Sequence, residues 1–451
     1  MKKKNQDMLQ GPLLSNIIGY TVPIILTSVL QLLFNAADLV VVGRFCGSIS
    51  VAAVGATGSI TALIVNLFIG LSVGAGVTVA HGLGSREEDM VHRTVHTALP
   101  VALLSGAVLT GLGILLSRAL LVMMGTPEDV LPLSSIYMKI YFCGITFTMV
   151  YNFVAAILRA VGDTKSPLVH LTVAGVINVL LNLIFVTVLH MNVAGVALAT
   201  AISQAYSAVM VTIVLMKRTD ACHLNLRKMH IYKIQLMKIL RIGLPAGIQS
   251  SLFSISNVMI QSSINSFGGI VMSGNAASQN IEGFLYVSLN AFHQTAVNFI
   301  GQNMGAKKFD RVKKILWICL GCVCVVGLGL GLLIGGLGET LLSIYITDSA
   351  EAITWGLTRL SIICTTYFIC GLMDVSTGAL RGMGASVSPM IISVLGVCGV
   401  RIGWVMTIFQ IPQFHTPQSL YYSYIVSWAM TFLVQMFAFL KIYKKNVRLY
   451  Q

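Results

Sequence analysis

A block of residues recurs along this chain at a nearly constant spacing of 222 positions. Leu158-Arg159 through Gly162 to Ser166-Pro167 returns as Leu380-Arg381 through Gly384 to Ser388-Pro389. Pro23, Asn35, Phe45 and Gly47 return as Pro245, Asn257, Phe267 and Gly269, and Gly84 returns as Gly305 after a single one-residue indel. Such a shift marks a duplicated unit, and both copies are strongly apolar. Two related apolar halves are the plan of membrane proteins that set a substrate path between repeats. Transport is therefore the first function to test, ahead of any enzyme activity.

The charge content fixes the solvent. Only 10% of the 451 residues are charged, 56% are apolar, and mean hydropathy is +0.85. A soluble chain carries about 25% charged residues. One spanning helix needs about 20 mostly apolar residues, so the chain holds material for about a dozen spans. Apolar segments lie near 14–43, 49–80, 92–116, 133–158, 168–189, 194–216, 239–264, 273–303, 315–338, 354–380, 389–411 and 420–440. The expected fold is an all-α polytopic membrane protein of 12 transmembrane helices in two parallel-repeat six-helix lobes, residues 1–222 and 223–451. Segments longer than about 25 residues predict tilt or kinks. Pro23 and Pro245 each sit in the first helix of a half, where proline removes a backbone hydrogen bond. Gly327, Gly329, Gly331, Gly335 and Gly336 crowd the ninth segment, which allows close helix approach in lipid. They lack the strand–turn–helix setting of a nucleotide loop. Gly162 to Ser166 likewise lacks the upstream glycine of a phosphate loop.

The net charge of +14 would suggest nucleic acid in a soluble protein. Its placement argues otherwise. All but Arg44, Arg118, Lys139, Arg359 and Arg401 of the 29 Lys and Arg lie at the termini or in loops on the termini's side of a twelve-span layout. Positive residues stay on the cytoplasmic side. Both termini are thus expected in the cytoplasm, and the two halves enter the membrane from the same face, as parallel repeats. Met1-Lys2-Lys3-Lys4 looks like the start of a signal peptide. The apolar segment behind it, from about Leu13 to Val42, is too long for one, so it reads as a retained first span. The basic connection from Lys217 to Arg241 either lies on anionic headgroups or is a solvated tether. Cys319, Cys322 and Cys324 contain a CxxC, but no His or second pair follows at zinc spacing. His81, His170, His190 and His293 form no HxxxH pair. No metal and no cofactor are expected, and the cysteines read as packing residues.

The paired Leu-Arg-x-x-Gly-x-x-x-Ser-Pro loops, Gln302-Asn303-Met304-Gly305-Ala306, and Asp38 with Gly43 in the first helix carry a resemblance. Over its whole length the chain resembles the multidrug and toxic compound extrusion (MATE) family, in its DinF-like bacterial branch. The resemblance implies a V-shaped, twelve-helix exporter with two six-helix lobes in the bacterial cytoplasmic membrane. It implies antiport, with H+ or Na+ entering as small organic cations or drugs leave. A monomer among membrane lipids is the expected state. The matching cation-coupling positions are Gln31, Asp38, Asn152, Asn178, Asn182 and Thr200. Many relatives carry a second aspartate where Asn182 stands here. With one carboxylate fewer, the pocket suits a strongly bound sodium ion less well, and the balance tips mildly to protons.

The residues support that assignment independently. Asp38 lies in an otherwise uncharged run, and a charge near a helix centre costs about 2.5–3.5 kcal/mol on insertion scales. It should therefore face a cavity or a partner. Gln31, Asn35 and Asp38 share one helix face, as do Asn178 and Asn182. Burial favours a neutral carboxyl and amide donors a charged one, the tension a proton-coupled switch needs. The competing role is a structural aspartate capping a kink in the Pro23 helix. In the second half Ile260 stands at the Asp38 position. Asn257, Gln261, Glu282, Tyr286 and Asp374, with Asn35, are the expected substrate-cavity residues, their acids attracting organic cations. Interhelical hydrogen bonding is the alternative for these groups. Arg401, the one clear mid-span arginine in this reading, is expected to pair with Glu282 or Asp374. Arg159 and Arg381 are expected to serve helix C-termini and snorkel to headgroups. A lipid-linked sugar flippase, the main alternative function, would need several cavity arginines. An enzyme would need a nucleophile–base pair or metal motif within the spans.

Overall fold

The computed structural model describes residues 7–347 and 349–450, and the basic start Met1–Lys4 lies outside them. Among the described residues all regular structure is helical. The first half holds α1 (Leu13–Phe45), α2 (Ser48–Ser85), α3 (Glu88–Met123), α4 (Leu131–Ala160), α5 (Lys165–Leu183, continued by a π turn at Ile184–Val188) and α6 (Asn192–Met216). The second half holds α7 (Lys233–Asn265), α8 (Gly269–Gly305), α9 (Phe309–Gly336), the short α10 (Gly338–Tyr345) and α11 (Ala350–Gly382). It closes with α12 (Val387–Ser393), a π turn at Val394–Gly399, α13 (Val400–Met406) and α14 (Pro417–Tyr450). Counting α12 to α13 as one span and setting α10 aside, this is the twelve-helix layout the sequence predicts. Ten of the helices are long and apolar enough to cross a membrane by composition. The two that fall short are α7 and α8, whose amides, Glu282 and His293 dilute the apolar content. The single eleventh segment expected from sequence is instead two α-helices joined by a π turn.

The chain divides into two compact units, one from Val22 to Ser251, the other from Met8 to Thr21 and from Leu252 onward. In unit 1, α4 packs against α2, α3 and α6, and in unit 2 the repeat partner of α4, α11, packs against α8, α9 and α14. Each central helix carries the interior. Phe142, Phe153 and Met149 of α4 are fully buried in unit 1, and Ile363 and Met373 of α11 in unit 2.

Lipid tails offer helices no hydrophobic reason to associate, so small residues that let backbones meet set the interfaces. Gly70 and Gly74 of α2 face Gly243 and Gly247 of α7, both within unit 1. A Cβ on Gly74 would sit 2.2 Å from the Ile239 carbonyl oxygen, and one on Gly247 would sit 2.1 Å from that of Leu67. Of the five glycines in α9, only Gly327 and Gly331 press on α11, Gly331 with 2.2 Å from a built Cβ to the Cys364 carbonyl oxygen. The repeated Leu-Arg-x-x-Gly loops have one geometry. Asp163 N–H donates to Leu158 O at 2.9 Å and Ala385 N–H to Leu380 O at 3.0 Å. Gly162 (φ 94°) and Gly384 (φ 83°) make the left-handed turn that this helix ending needs. Asp163 then accepts from the Ser166 backbone N–H at 2.9 Å and starts α5.

The connection after α6 is not a loose tether. Cys222 and Leu224 are buried in the core of unit 1. Asn225 N–H donates to His96 Nε2 at 3.1 Å, Tyr232 N–H donates to Thr97 Oγ1 at 3.1 Å, and Arg93 sits over the Tyr232 ring at 5.4 Å. The first turns of α3 therefore hold it, while Lys217, Arg227 and Lys228 remain exposed.

Candidate cation-coupling site

Two helices of unit 1, α5 and α6, bring polar groups to Asp38 of α1. Asn182 of α5 donates its amide N–H to Asp38 Oδ1 in a short hydrogen bond. The same Nδ2 is 3.2 Å from Asn178 Oδ1, one turn back, and Asn178 Nδ2 donates to Thr200 Oγ1 of α6 at 3.2 Å. Thr200 donates to the Val196 carbonyl at 2.9 Å, and its side chain also bears on the Asp38 carboxylate. Asn182 is fully buried, Asn178 nearly so and Asp38 partly. Val41, Val42, Val186, Val193 and Val196 form a buried apolar cluster from the same part of the chain, with Tyr137 of α4 packed against it. Among the described residues no lysine or arginine bears on Asp38, whose polar partners are the amide and the hydroxyl.

The Asn182 amide can meet either charge state of the carboxyl. With the carboxylate ionised, the Asn182 amide donates to it. With the carboxyl protonated, the acid hydrogen needs an acceptor, and Asn182 Oδ1 is a buried oxygen with no donor among the described residues. A half-turn of the amide would present it. Unpaired buried acceptors are costly, and this one belongs to the side chain bonded to Asp38. The kink-cap alternative for Asp38 does not describe this geometry, because the partners come from α5 and α6 rather than from α1.

Not every expected coupling residue joins the cluster. Asn152 donates to its own helix at Thr148 O, 2.8 Å away. Gln31 and Asn35 lie on the Asp38 face of α1 and are exposed. Tyr137, which sequence reasoning missed, stands near enough to interact electrostatically with Asp38. Its only signal was a tyrosine inside an apolar span. Among the described residues no group of three His, Cys, Asp or Glu could hold a metal ion.

Unit 2 is built differently. Glu282 of α8 and Arg359 of α11 form a two-pronged ion pair at 2.7 and 2.8 Å, with side chains only 7% and 2% exposed. Arg359 also donates to Asn275 Oδ1 at 2.8 Å and lies 5.2 and 5.5 Å from the Tyr421 and Tyr424 ring centres. Asn275 donates to Gln261 Oε1 at 2.9 Å, and Gln261 donates to Asn265 at 2.8 Å. This unit corrects four expectations. Glu282 is not a free acid, because Arg359 neutralises it. Arg401 pairs with neither Glu282 nor Asp374: it donates to Asn257 Oδ1 at 3.0 Å and Ser427 Oγ at 3.2 Å. Nor is it the one interior arginine, since Arg359 and Arg381 are buried as well. Arg381 does not snorkel. Its Nη1 is 3.4 Å from His293 Nε2, whose Nδ1 in turn donates to the Asp374 carbonyl at 2.7 Å. Asp374 bonds Asn290 and feels the Arg381 charge, while Tyr286 is exposed.

Duplicated six-helix units, each built on its fourth helix, with an acid sunk among amides in one of them, define a polytopic membrane carrier. The MatE family model matches twice, over residues 23–184 and 245–406, repeating the shift seen in the sequence. The chain belongs to this family, whose members are transporters and not enzymes. It is 27% identical to Probable multidrug resistance protein YoeA of Bacillus subtilis (strain 168), over 85% of this chain and 84% of that one. It is 28% identical to Probable multidrug resistance protein YpnP of the same organism, over 88% and 89%. The fold matches a multidrug resistance MATE family transporter of the MOP superfamily in its outward-facing conformation, with a TM-score of 0.92 at 19% identity, covering 99% of this chain and 100% of that one. A MOP superfamily transporter from Pyrococcus furiosus aligns with a TM-score of 0.92 at 18% identity over 99% of both. The chain is thus a multi-pass protein of a bacterial plasma membrane.

Proposed function

We propose that this chain exports organic, chiefly cationic, compounds in exchange for an entering cation that binds at Asp38. The observation that carries the reading is the Asp38–Asn182–Asn178–Thr200 chain, a carboxylate held by neutral donors beside an unused buried oxygen. Cation entry reorganises those bonds, and α1 carries the change along its length to Pro23, where the backbone ladder is already broken. One charge crossing 100 mV releases about 2.3 kcal/mol to drive export. Protons are the favoured ion, because one carboxylate with amide oxygens gives a hard cation few charged ligands. Asn35 and Tyr286, both exposed, are the groups proposed to meet substrate. Both termini face the cytoplasm, residues 1–222 and 223–451 are the two lobes, and the protein acts as a monomer.

Curated relatives named as multidrug resistance and export proteins support this reading over a lipid-linked sugar flippase. So does the chemistry of the buried arginines. Arg359 is committed to Glu282, which removes it as a cradle for a pyrophosphate. The test is uptake of a fluorescent organic cation into proteoliposomes with proton and sodium gradients imposed separately. The proposal expects accumulation under the proton gradient. Absence of uptake under both gradients refutes it.

A further inference from the structure

The repeat places a second site opposite the first in sequence, and the two are filled in different ways. In unit 1 the polar groups come from α1, α5 and α6. In unit 2 the corresponding helices are α7, α12–α13 and α14, and they also converge on one point. That point is the Arg401 guanidinium. Asn257, the repeat partner of Asn35, gives its Oδ1 at 3.0 Å. Ser427 of α14 gives its hydroxyl at 3.2 Å, and the Tyr424 and Trp428 rings lie 4.0 and 5.9 Å away. Arg401 itself is one residue past the repeat position of Asn178, and Ile260 holds the position of Asp38.

A buried arginine in an ordinary structural role has a carboxylate partner, as Arg359 has Glu282 in the same unit. Arg401 is 4% exposed, yet every described group that bears on it is neutral: amide, hydroxyl, thiol or phenol. Amide oxygen, hydroxyl oxygen and aromatic faces are the ligands a protein offers to a bound cation. Of the interior acids of unit 2, Glu282 is paired with Arg359, and Asp374 feels the Arg381 charge.

We propose that unit 2 retains the duplicated cation site with its cation built in, as the Arg401 side chain, so that exchangeable cations bind in unit 1 alone. The cage of Asn257, Ser427, Tyr424 and Trp428 selects a guanidinium or small organic ammonium ion. Coupling is therefore one cation per transport cycle, which rests on the reading of Asp38 as the coupling site.

The experiment is chemical replacement. Purified Arg401→Ala protein is titrated with methylguanidinium at millimolar concentration, and its thermal midpoint is followed beside that of the wild type. The variant should start lower and rise saturably, with the wild type unmoved. Absence of a rise, or an equal rise in both, overturns the proposal. Should Arg401→Ala not fold, the number of cations exchanged per substrate by wild-type proteoliposomes at static head decides. One supports the proposal and two overturns it. An Asp38→Asn control separates the two ideas. Persistent ion-driven exchange in that variant removes the Asp38 reading, whereas the methylguanidinium titration still reports on the Arg401 cage.

Discussion

Glu282→Leu leaves the Arg359 guanidinium buried without a counter-charge. The pair is 2% and 7% exposed and joined by two hydrogen bonds of 2.7 and 2.8 Å, so little water reaches it. Removing one partner of such a pair costs about 3–5 kcal/mol, because the remaining charge keeps its desolvation penalty. Glu282→Gln should cost less, about 2–3 kcal/mol, since the amide oxygen still accepts one bond from the guanidinium and hydrogen bonds to charged groups contribute about 1.5–3 kcal/mol. In both variants Asn275 at 2.8 Å and the two tyrosine rings continue to hold Arg359. Replacing both partners, Glu282→Leu with Arg359→Met, removes the stranded charge and should be less damaging than Glu282→Leu alone. The assay is reversible unfolding in mixed micelles with increasing SDS, extrapolated to zero denaturant. A Glu282→Leu cost below about 1 kcal/mol, or strict additivity in the double variant, would refute the reasoning.

Three other outcomes follow from the same structure. Gly331→Ala drives a Cβ to 2.2 Å from the Cys364 carbonyl, whereas Gly329→Ala meets nothing within 4 Å; thermal midpoints should fall for the first and hold or rise for the second. Asn182→Asp restores a second carboxylate beside Asp38, so transport should gain sodium stimulation, read as dye export against sodium concentration. Burial, aided by Asp220 and opposed by Arg218, pushes the Cys222 thiol from 9.0 up to about 12. At pH 8 maleimide should therefore label Cys222 only after unfolding. The neutral folded thiol also gives a sign for stability: its contribution is intact below 9.0 and is lost as pH climbs toward about 12.

What the sequence made legible was periodic or duplicated. Apolar runs separated by basic loops defined the helices, and the Leu-Arg-x-x-Gly repeats foretold two loops of one geometry. Asp38 stood out because a lone acid in a hydrocarbon-rich run needs a reason, and the i, i+4 pair Asn178–Asn182 supplied one. The ion pairs of unit 2 were not legible. Glu282 and Arg359 are 77 positions apart, and no local pattern says which of several acids meets which arginine. Arg401 misled for the same reason: a carboxylate partner is the usual rule for a buried arginine, and the neutral cage of Asn257, Ser427 and Tyr424 breaks it. The α6–α7 connection looked like a tether because its charges dominate its composition. Two buried side chains, Cys222 and Leu224, with the hydrogen bonds to His96 and Thr97, decide its fold instead.

Substrate efflux from proteoliposomes carrying Asp38→Asn, driven by an imposed cation gradient, bears most directly on the whole account. The variant keeps the shape of the residue and the neighbouring amides but cannot lose a proton or offer a charge. Gradient-driven efflux should vanish in it while binding of the organic cation persists. Efflux at the wild-type rate would contradict the assignment of Asp38 as the coupling residue.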